Sequence, residues 1–361
     1  MRFLLSGYYG FGNLGDEALL EVIVAQLRTR YPLAEIEALS ADPDGTRHQL
    51  RIDATLRSDV AAVRRAIDRA DVVLSGGGGL FQNATSLRSL FYYAGIVRTA
   101  IGARKKTMIF AQSIGPLDFI GKQVVRECCR GLSAATVRDE RSRALLAPLV
   151  SSVDVKLTAD PVFLYDPPVP ATEQLAAQGL GEGSDPLVVV CVRPRVGFDE
   201  ISRRVAEAVD RLAEAHGARV GFVPFGGAED AESSTIVMRK CRSNPTLLPA
   251  TNLASVAAIL GRARLVIGMR LHALILAVRL GVPFIAIPYD PKVLGLCEDV
   301  GYPLPPLWSY ERRTGPPVTP SALADEAWSR RDELAGIVRA GAERMRERAA
   351  ENFTELDRLV S

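Results

Sequence analysis

Short β-branched runs alternate with helical patterns along most of this chain, and the alternation is made twice. This is the pattern of a parallel sheet covered by helices. In the first half the expected strands are residues 2–6, 34–39, 71–75, 107–112, 135–138 and 156–159. A helix from about residue 16 to 30 follows the first, with Leu19, Leu20, Ile23, Val24 and Leu27 at helical spacing. A proline-rich stretch (165–170) and a Gly/Asp/Pro-rich one (179–186) then bracket a short helical pattern at 172–178, which reads as an interdomain connection. The rhythm restarts with strands at 187–192, 219–224, 265–267 and 284–287, and helices at 201–216 and 253–260. Residues 320–361 read as a charged helical tail with an apolar stripe of Leu334, Ile337, Val338, Met345, Phe353, Leu356 and Leu359.

The expected fold class is therefore α/β: two Rossmann-like, doubly wound domains facing a cleft. The expected boundaries are 1–166, a linker at 167–186, a second domain at 187–319 and the tail at 320–361. A chain of 361 residues that is 48% hydrophobic has apolar material for two cores. A net charge of +2 argues against nucleic acid as the main ligand, while leaving room for a local anion pocket. Five cysteines without C-x-x-C spacing support neither a disulfide framework nor a zinc site, which fits a reducing cytoplasm. The first residues do not read as a signal peptide. The longest apolar candidate for a membrane span, 271–287, is broken by His272, Arg279, Gly281 and Pro283.

Ligands of open α/β sheets bind outside the carboxyl ends of the strands, and the loops expected there have unusual composition. In Gly268-Met269-Arg270-Leu271-His272-Ala273, an Arg and a His stand where a strand gives way to a helix. Helix N-termini favour anions, a guanidinium clamps phosphate or carboxylate, and a histidine moves a proton near neutral pH. Arg270 pairing with a carboxylate and His272 capping the helix is the structural alternative. The segment Val192-Arg193-Pro194-Arg195 would make the site a two-arginine one, and Lys292 could add a third cation or be an ordinary surface lysine.

In the first half, Gly7-Tyr8-Tyr9-Gly10-Phe11-Gly12-Asn13-Leu14-Gly15-Asp16-Glu17 leads from strand to helix. Gly10-x-Gly12-x-x-Gly15 fits a dinucleotide fingerprint, a weak match by itself. Asp16 reads either as a helix cap, worth roughly 1 kcal/mol, or as an acceptor of a sugar-hydroxyl proton. Four glycines, Gly76, Gly77, Gly78 and Gly79, imply close approach of a ligand or another backbone. Asn83, Ser86, Tyr92 and Tyr93 could hold a sugar, or be helix surface and core. Gln112-Ser113-Ile114-Gly115-Pro116, Val137-Arg138-Asp139-Glu140 and Ala159-Asp160-Pro161 also end strands; Arg138 and Asp160 could simply pair.

Taken together, the 7–19 loop, the Gly76–Gly79 loop, Gln112 to Pro116 and Gly268 to Ala273 resemble the polysaccharide pyruvyl transferases, in particular their cell-wall branch. The resemblance extends to about Gly301. It implies a glycosyltransferase-B-like architecture, phosphoenolpyruvate as donor, and a lipid-linked saccharide as acceptor, with N-acetylmannosamine becoming a 4,6-linked pyruvate ketal. It places donor binding on Arg193, Arg270, Leu271 and His272, and an acceptor-side acid at Asp16. Asn13, Gly76, Gly77, Gly78, Gln112 and Lys292 complete the candidate substrate-binding set, with His272 and Asp16 the candidate catalytic pair. The implied chemistry needs no redox cofactor, and no metal cluster is visible. A cytoplasmic enzyme touching the inner membrane face is expected, with residues 91–106 as a candidate contact surface. The rival readings are a nucleotide-sugar glycosyltransferase, for which Asp290 and Glu298 give a degenerate carboxylate pair with seven residues between, and a sugar-binding protein without activity.

Overall fold

The computed structural model describes residues 1–83, 86–168, 180, 185–310 and 318–361. The short helical pattern expected at 172–178, and most of the expected linker, lie outside the described residues. The chain divides into two compact units: Met1–Leu164 with Arg346–Ser361, and Tyr165–Met345.

Unit 1 is built on seven strands: β1 (Arg2–Tyr9), β2 (Glu35–Ser40), β3 (Asp53–Leu56), β4 (Val72–Gly76), β5 (Lys106–Gln112), β6 (Ala134–Val137) and β7 (Val155–Leu157). All pair in parallel, in the order β3-β2-β1-β4-β5-β6-β7. Successive side chains of a strand point to opposite faces, and β1 shows the consequence. Phe3 and Leu5 join a core with Leu20, Ile23, Val24 and Leu27 of the helix Leu14–Arg30. Leu4 joins one on the other side with Leu39, Val63, Ile67 and Ile96.

Two local features were not anticipated. Strand β1 runs on to Tyr9 through an irregularity between Ser6 and Tyr9. A Cβ on Gly7 would lie 2.2 Å from the Tyr9 ring, so glycine there lets the ring fold back over the backbone. Edge strand β3 is too short to show a period, and is tied to β2 by a 2.7 Å hydrogen bond from Thr55 Oγ1 to Glu37 Oε1.

The last turns of the helix Arg331–Val360 belong to unit 1. Phe353 and Leu356 are fully buried, and the Phe353 ring meets Phe110 edge-on at 5.0 Å. Asn352, also fully buried, donates to the Ala159 carbonyl at 2.8 Å and accepts from Thr158 Oγ1 at 2.7 Å. Asp357 receives Arg30 at 2.7 Å and the Tyr31 hydroxyl.

Unit 2 holds β8 (Leu187–Cys191), β9 (Arg219–Phe222), β10 (Thr246–Leu247), β11 (Ala263–Gly268) and β12 (Phe284–Ala286). They form a parallel sheet in the order β10-β9-β8-β11-β12. Every residue of β8 is buried, as a central parallel strand requires. The strand order reverses between β8 and β11, the position at which doubly wound sheets open a ligand crevice. All five cysteines are free thiols, and no helix among the described residues is long and apolar enough to cross a membrane.

Asn352→Ala leaves the buried Ala159 carbonyl without its side-chain donor, while Thr158 Oγ1 keeps the Val137 carbonyl at 3.1 Å. An orphaned polar group costs about 1–3 kcal/mol, so the variant should lose about that much unit 1 stability in urea denaturation. An unchanged midpoint would remove Asn352 as the tie.

Candidate active site

The strand-to-helix junction in unit 2 is built by backbone. The Met269 amide donates to the Cys191 carbonyl and the Ile287 amide to the Gly268 carbonyl, each at 2.8 Å, locking β8, β11 and β12 together. A Cβ on Gly268 would lie 2.3 Å from Leu274, so only glycine lets the following helix, Leu271–Arg279, pack this close. Arg270 is its N-cap residue and supplies no capping side chain, so the first-turn amides receive no side-chain acceptor from it.

Cys191 and Gly268 are register partners, and Arg193 and Arg270 each lie two residues beyond that pair. The switch point thus carries two arginines on adjacent strand ends, which run about 5 Å apart in such sheets. Their surroundings differ. Arg270 is held by Asp230 in a bidentate pair, Nε to Oδ2 at 2.7 Å and Nη2 to Oδ1 at 2.5 Å. Asp230 is fully buried in the first turn of the helix Ala228–Met238, and also accepts from the amides of Phe225 (3.2 Å) and Gly226 (2.8 Å). A Cβ on Gly226 would lie 2.0 Å from Arg270 Nη2. The carboxylate alternative for Arg270 is thus what the structure contains. The pair fixes the guanidinium and neutralises its net charge.

Arg193 and Arg195 keep theirs. Arg193 donates from Nη1 to the Tyr289 hydroxyl at 3.0 Å with its guanidinium 4.8 Å from that ring, and its buried Nε has no hydrogen-bond partner among the described residues. Arg195 donates to the Tyr289 carbonyl at 2.6 Å and lies 4.8 Å from the Trp308 ring. Among the described residues neither is paired with a carboxylate. Asp290 caps the helix Pro291–Val300, accepting from the Lys292 amide at 3.0 Å; Lys292, Leu271 and His272 are half-buried beside these strand ends.

In unit 1 the helix cap is Asn13, whose side chain accepts from the Gly15 amide at 3.1 Å, so Asp16 is not the cap. Asp16 lies in the first turn, facing the glycine loop: a Cβ on Gly78 would come 2.8 Å from its Oδ1. Gly77 and Gly78 both have φ of +74°, a conformation that favours glycine. The loop is held from beneath. The Tyr9 hydroxyl donates to the Gly76 carbonyl at 2.6 Å, and Gln112 Nε2 donates to the Ser75 carbonyl at 2.6 Å. Gln112 is fully buried, which makes it a positioning residue for this loop.

The fingerprint-like glycines carry an internal anion. The Gly10 amide donates to Glu17 Oε1 at 2.9 Å, with Gly10 and Gly12 at positive φ. Burial pushes the Glu17 carboxyl above its ordinary value, while the amides of Gly10, Gly12 and Phe11 pull against that shift. The backbone cradle that a dinucleotide phosphate would use is turned on the chain's own carboxylate.

Tyr92 and Tyr93 do not offer free hydroxyls to a sugar. Tyr92 donates to the Arg57 carbonyl at 3.0 Å and Tyr93 to the Gly7 carbonyl at 3.3 Å. They frame Arg57, whose guanidinium lies 4.3 Å from the Tyr92 ring and 4.9 Å from Phe11. The exposed rings of the first glycine loop are Tyr8 and Phe11, stacked at 4.1 Å. Arg138 pairs with Asp160, both buried, and donates from Nε to Ser113 Oγ at 2.7 Å, the structural alternative for those residues.

A family model described as polysaccharide pyruvyl transferase matches residues 13–291. The chain belongs to that family. It is accordingly a transferase. No curated protein matches the chain by sequence. Among solved structures it is similar to the Anabaena protein HepE in complex with UDP and glucose (13% identity, TM-score 0.65, covering 100% of this chain and 99% of that one). It is also similar to a putative UDP-N-acetylglucosamine 2-epimerase from Listeria monocytogenes (12%, 0.60, covering 96% and 90%). A third is the UDP-GlcNAc 2-epimerase of Neisseria meningitidis bound to UDP-GlcNAc (10%, 0.59, covering 99% and 100%). At these identities the likeness establishes the glycosyltransferase-B-like α/β fold of this pyruvyl transferase.

Sequence reading missed Asp230, Trp308 and Arg57, and it marked the strand-end segment 288–292 without giving Tyr289 a role. Asp230 had a signal, an acid just after a Gly226-Gly227 pair; the others became visible only through the contacts they make.

Asp230→Asn leaves the Arg270 guanidinium without its counter-charge, and breaking such a pair costs about 3–5 kcal/mol. The Asp230→Asn/Arg270→Gln double variant should recover much of that in a double-mutant cycle; additive losses would show the two are not coupled. For Glu17 the sign follows from its raised folded value. The folded state binds the proton more readily than the unfolded chain. Its contribution to stability is full below the unfolded value and lost as pH rises through the folded one. Glu17→Gln should therefore flatten the fall in melting temperature between acidic and neutral pH, and parallel curves for the two proteins would contradict it.

Proposed function

We propose that this enzyme transfers the pyruvyl group of phosphoenolpyruvate to a sugar, forming a 4,6-ketal and releasing phosphate. The acceptor in this reading is N-acetylmannosamine on a lipid-linked cell-wall precursor, as in the branch typified by the cell-wall pyruvyl transferase CsaB. Together with family membership, one observation carries it: Arg193 and Arg195, unpaired with carboxylates among the described residues, stand on neutral rings next to the oriented Arg270, whose helix start has no side-chain cap. Phosphoenolpyruvate presents a phosphate and a carboxylate on three carbons. Such a ligand calls for net positive charge, which Arg193 and Arg195 supply, and for directed donors, which Arg270 and the helix amides at Leu271 supply.

In the proposed reaction, protonated His272 gives its proton to the methylene carbon of the donor, and the central carbon becomes electrophilic. A sugar hydroxyl attacks that carbon while Asp16 takes its proton. The carbon–oxygen bond to phosphate then breaks, with the arginines stabilising the departing charge. The second hydroxyl adds, loses its proton and closes the ketal. The exposed Tyr8–Phe11 pair and the glycine loop beside Asp16 support placing the acceptor on unit 1.

Nucleotide-sugar transfer is the alternative. Its support is the fold shared with proteins whose structures hold UDP or UDP-sugars. Against it, Asp290 is engaged as a helix cap and the first glycine loop as a cradle for Glu17.

A thermal-shift titration separates the two, since a ligand selective for the native state raises the midpoint by mass action. Phosphoenolpyruvate should raise the melting temperature of the wild type and not of Arg193→Ala. UDP and UDP-sugars should do so in neither. His272→Asn should keep the shift and lower kcat at least about 100-fold. Stabilisation by nucleotides alone would replace the pyruvyl reading with the glycosyl one.

A further inference from the structure

Two neighbouring helices of unit 1 carry an exposed apolar face that its core does not use. The helices Leu87–Gly102 and Phe119–Cys128 share one core, with Leu90, Tyr93, Ala94 and Val97 of the first meeting Val125 of the second. They run side by side in the same direction. Near their starts, Asn83 accepts from the Asp118 amide at 3.2 Å and donates from its own amide to the Pro116 carbonyl at 3.2 Å. Near their ends, Arg98 donates to the Glu127 carbonyl at 3.2 Å.

Outward from that core, Leu87 and Phe91 occupy one stripe of the first helix, one turn apart. Phe119 and Ile120 open the second. These side chains are 38%, 51%, 76% and 53% exposed. Other large exposed apolar residues of the unit, such as Leu33 and Val60, stand singly and need no explanation. The four at this end do not. Cations stand beside them: Arg88 on the first helix, which has no acid, and Lys122 on the second, with Arg98 and Arg126 further along towards the helix ends. Two carboxylates belong to the second helix: Asp118 precedes it, and Glu127 lies in its last turn, 2.9 Å from Arg130. Asp118 is engaged as its cap, accepting from the Gly121 amide at 2.7 Å.

We propose that this face docks the protein on an anionic lipid bilayer. Aromatic and aliphatic side chains enter the boundary between headgroups and acyl chains, and the arginine and lysine beside them meet the lipid phosphates. Binding of this kind scales with apolar area plus attraction to anionic lipid, and neither signal alone holds a protein firmly. The face lies at the amino ends of helices that follow β4 and β5. That is the carboxyl edge of the sheet, where the Gly76–Gly78 loop and Asp16 stand. A lipid-linked acceptor would thus be met where its membrane anchor enters; that purpose rests on the proposed acceptor, while the docking rests on the surface alone.

The test is co-sedimentation with vesicles, without donor or acceptor, so failure of docking and failure of pyruvyl transfer are separate results. Wild type should pellet with vesicles of equal parts phosphatidylglycerol and phosphatidylcholine, and weakly with phosphatidylcholine alone. Phe91→Ser/Phe119→Ser should lower partition at least about tenfold. Arg88→Gln/Lys122→Gln should lower it about tenfold on the anionic vesicles only. Both sites are exposed, and an unchanged melting curve and unchanged turnover of a water-soluble acceptor confirm that each variant is folded. Wild type that stays in the supernatant, or variants that pellet as wild type does, would overturn the proposal. So would a dimer in light scattering that Phe91→Ser/Phe119→Ser converts to monomer, because the face would then be covered by a second copy.

Discussion

A buried carboxylate organises the carboxyl edge of the unit 2 sheet. Asp230 accepts from two backbone amides and from both arms of the Arg270 fork, so it joins the β9 loop to the start of the helix after β11. Gly226 must lack a side chain for the fork to pass, and Gly268 must lack one for the helix to approach. Once Arg270 is fixed and neutralised, positive charge at this edge falls to other residues. Arg193 and Arg195 are suited to it because their neighbours are the rings and oxygens of Tyr289 and Trp308, which orient a guanidinium without cancelling it. One arginine supplies geometry and two supply charge.

The same economy shapes unit 1 with the opposite sign. There the chain provides the anion, Glu17, and wraps the Gly10–Gly12 amides around it. The loop has a set shape before any ligand arrives, and the exposed Tyr8–Phe11 pair is presented from a fixed base. Asp16, its neighbour in sequence, is left to face Gly78. A single turn of helix thus carries one acid that builds the loop and one that the loop presents.

Much of this was legible in the sequence because the signals were long or repeated. Strand β8 is an unbroken apolar run, the helix Leu14–Arg30 has its apolar residues gathered from Ala18 to Leu27, and glycines cluster where strands end. Strand β3 was hidden because four residues at a sheet edge carry no period. Boundaries moved where one contact decides them: Asn13 took the cap that composition offered to Asp16. Partners such as Asp230 and Tyr289 lie 40 and 96 residues from the arginines they hold. No local pattern encodes a pairing that the sheet order alone brings about.

The glycine spacing shows the limit of motif reading most sharply. Gly10-x-Gly12-x-x-Gly15 has the spacing of a nucleotide cradle, and it does form a cradle: two glycines at positive φ with amides converging on a carboxylate. Spacing encodes where backbone turns tightly enough to gather N–H groups. Whether the anion they gather is a ligand or a side chain depends on the residues of the adjoining helix turn, and here Glu17 is that anion. A dinucleotide-binding relative needs that position empty of charge, because a carboxylate and a phosphate would compete for the same amides and repel each other. The acid at 17 therefore carries more functional information than the three glycines before it. It makes the loop a scaffold that sets the places of Asp16 and two aromatic rings.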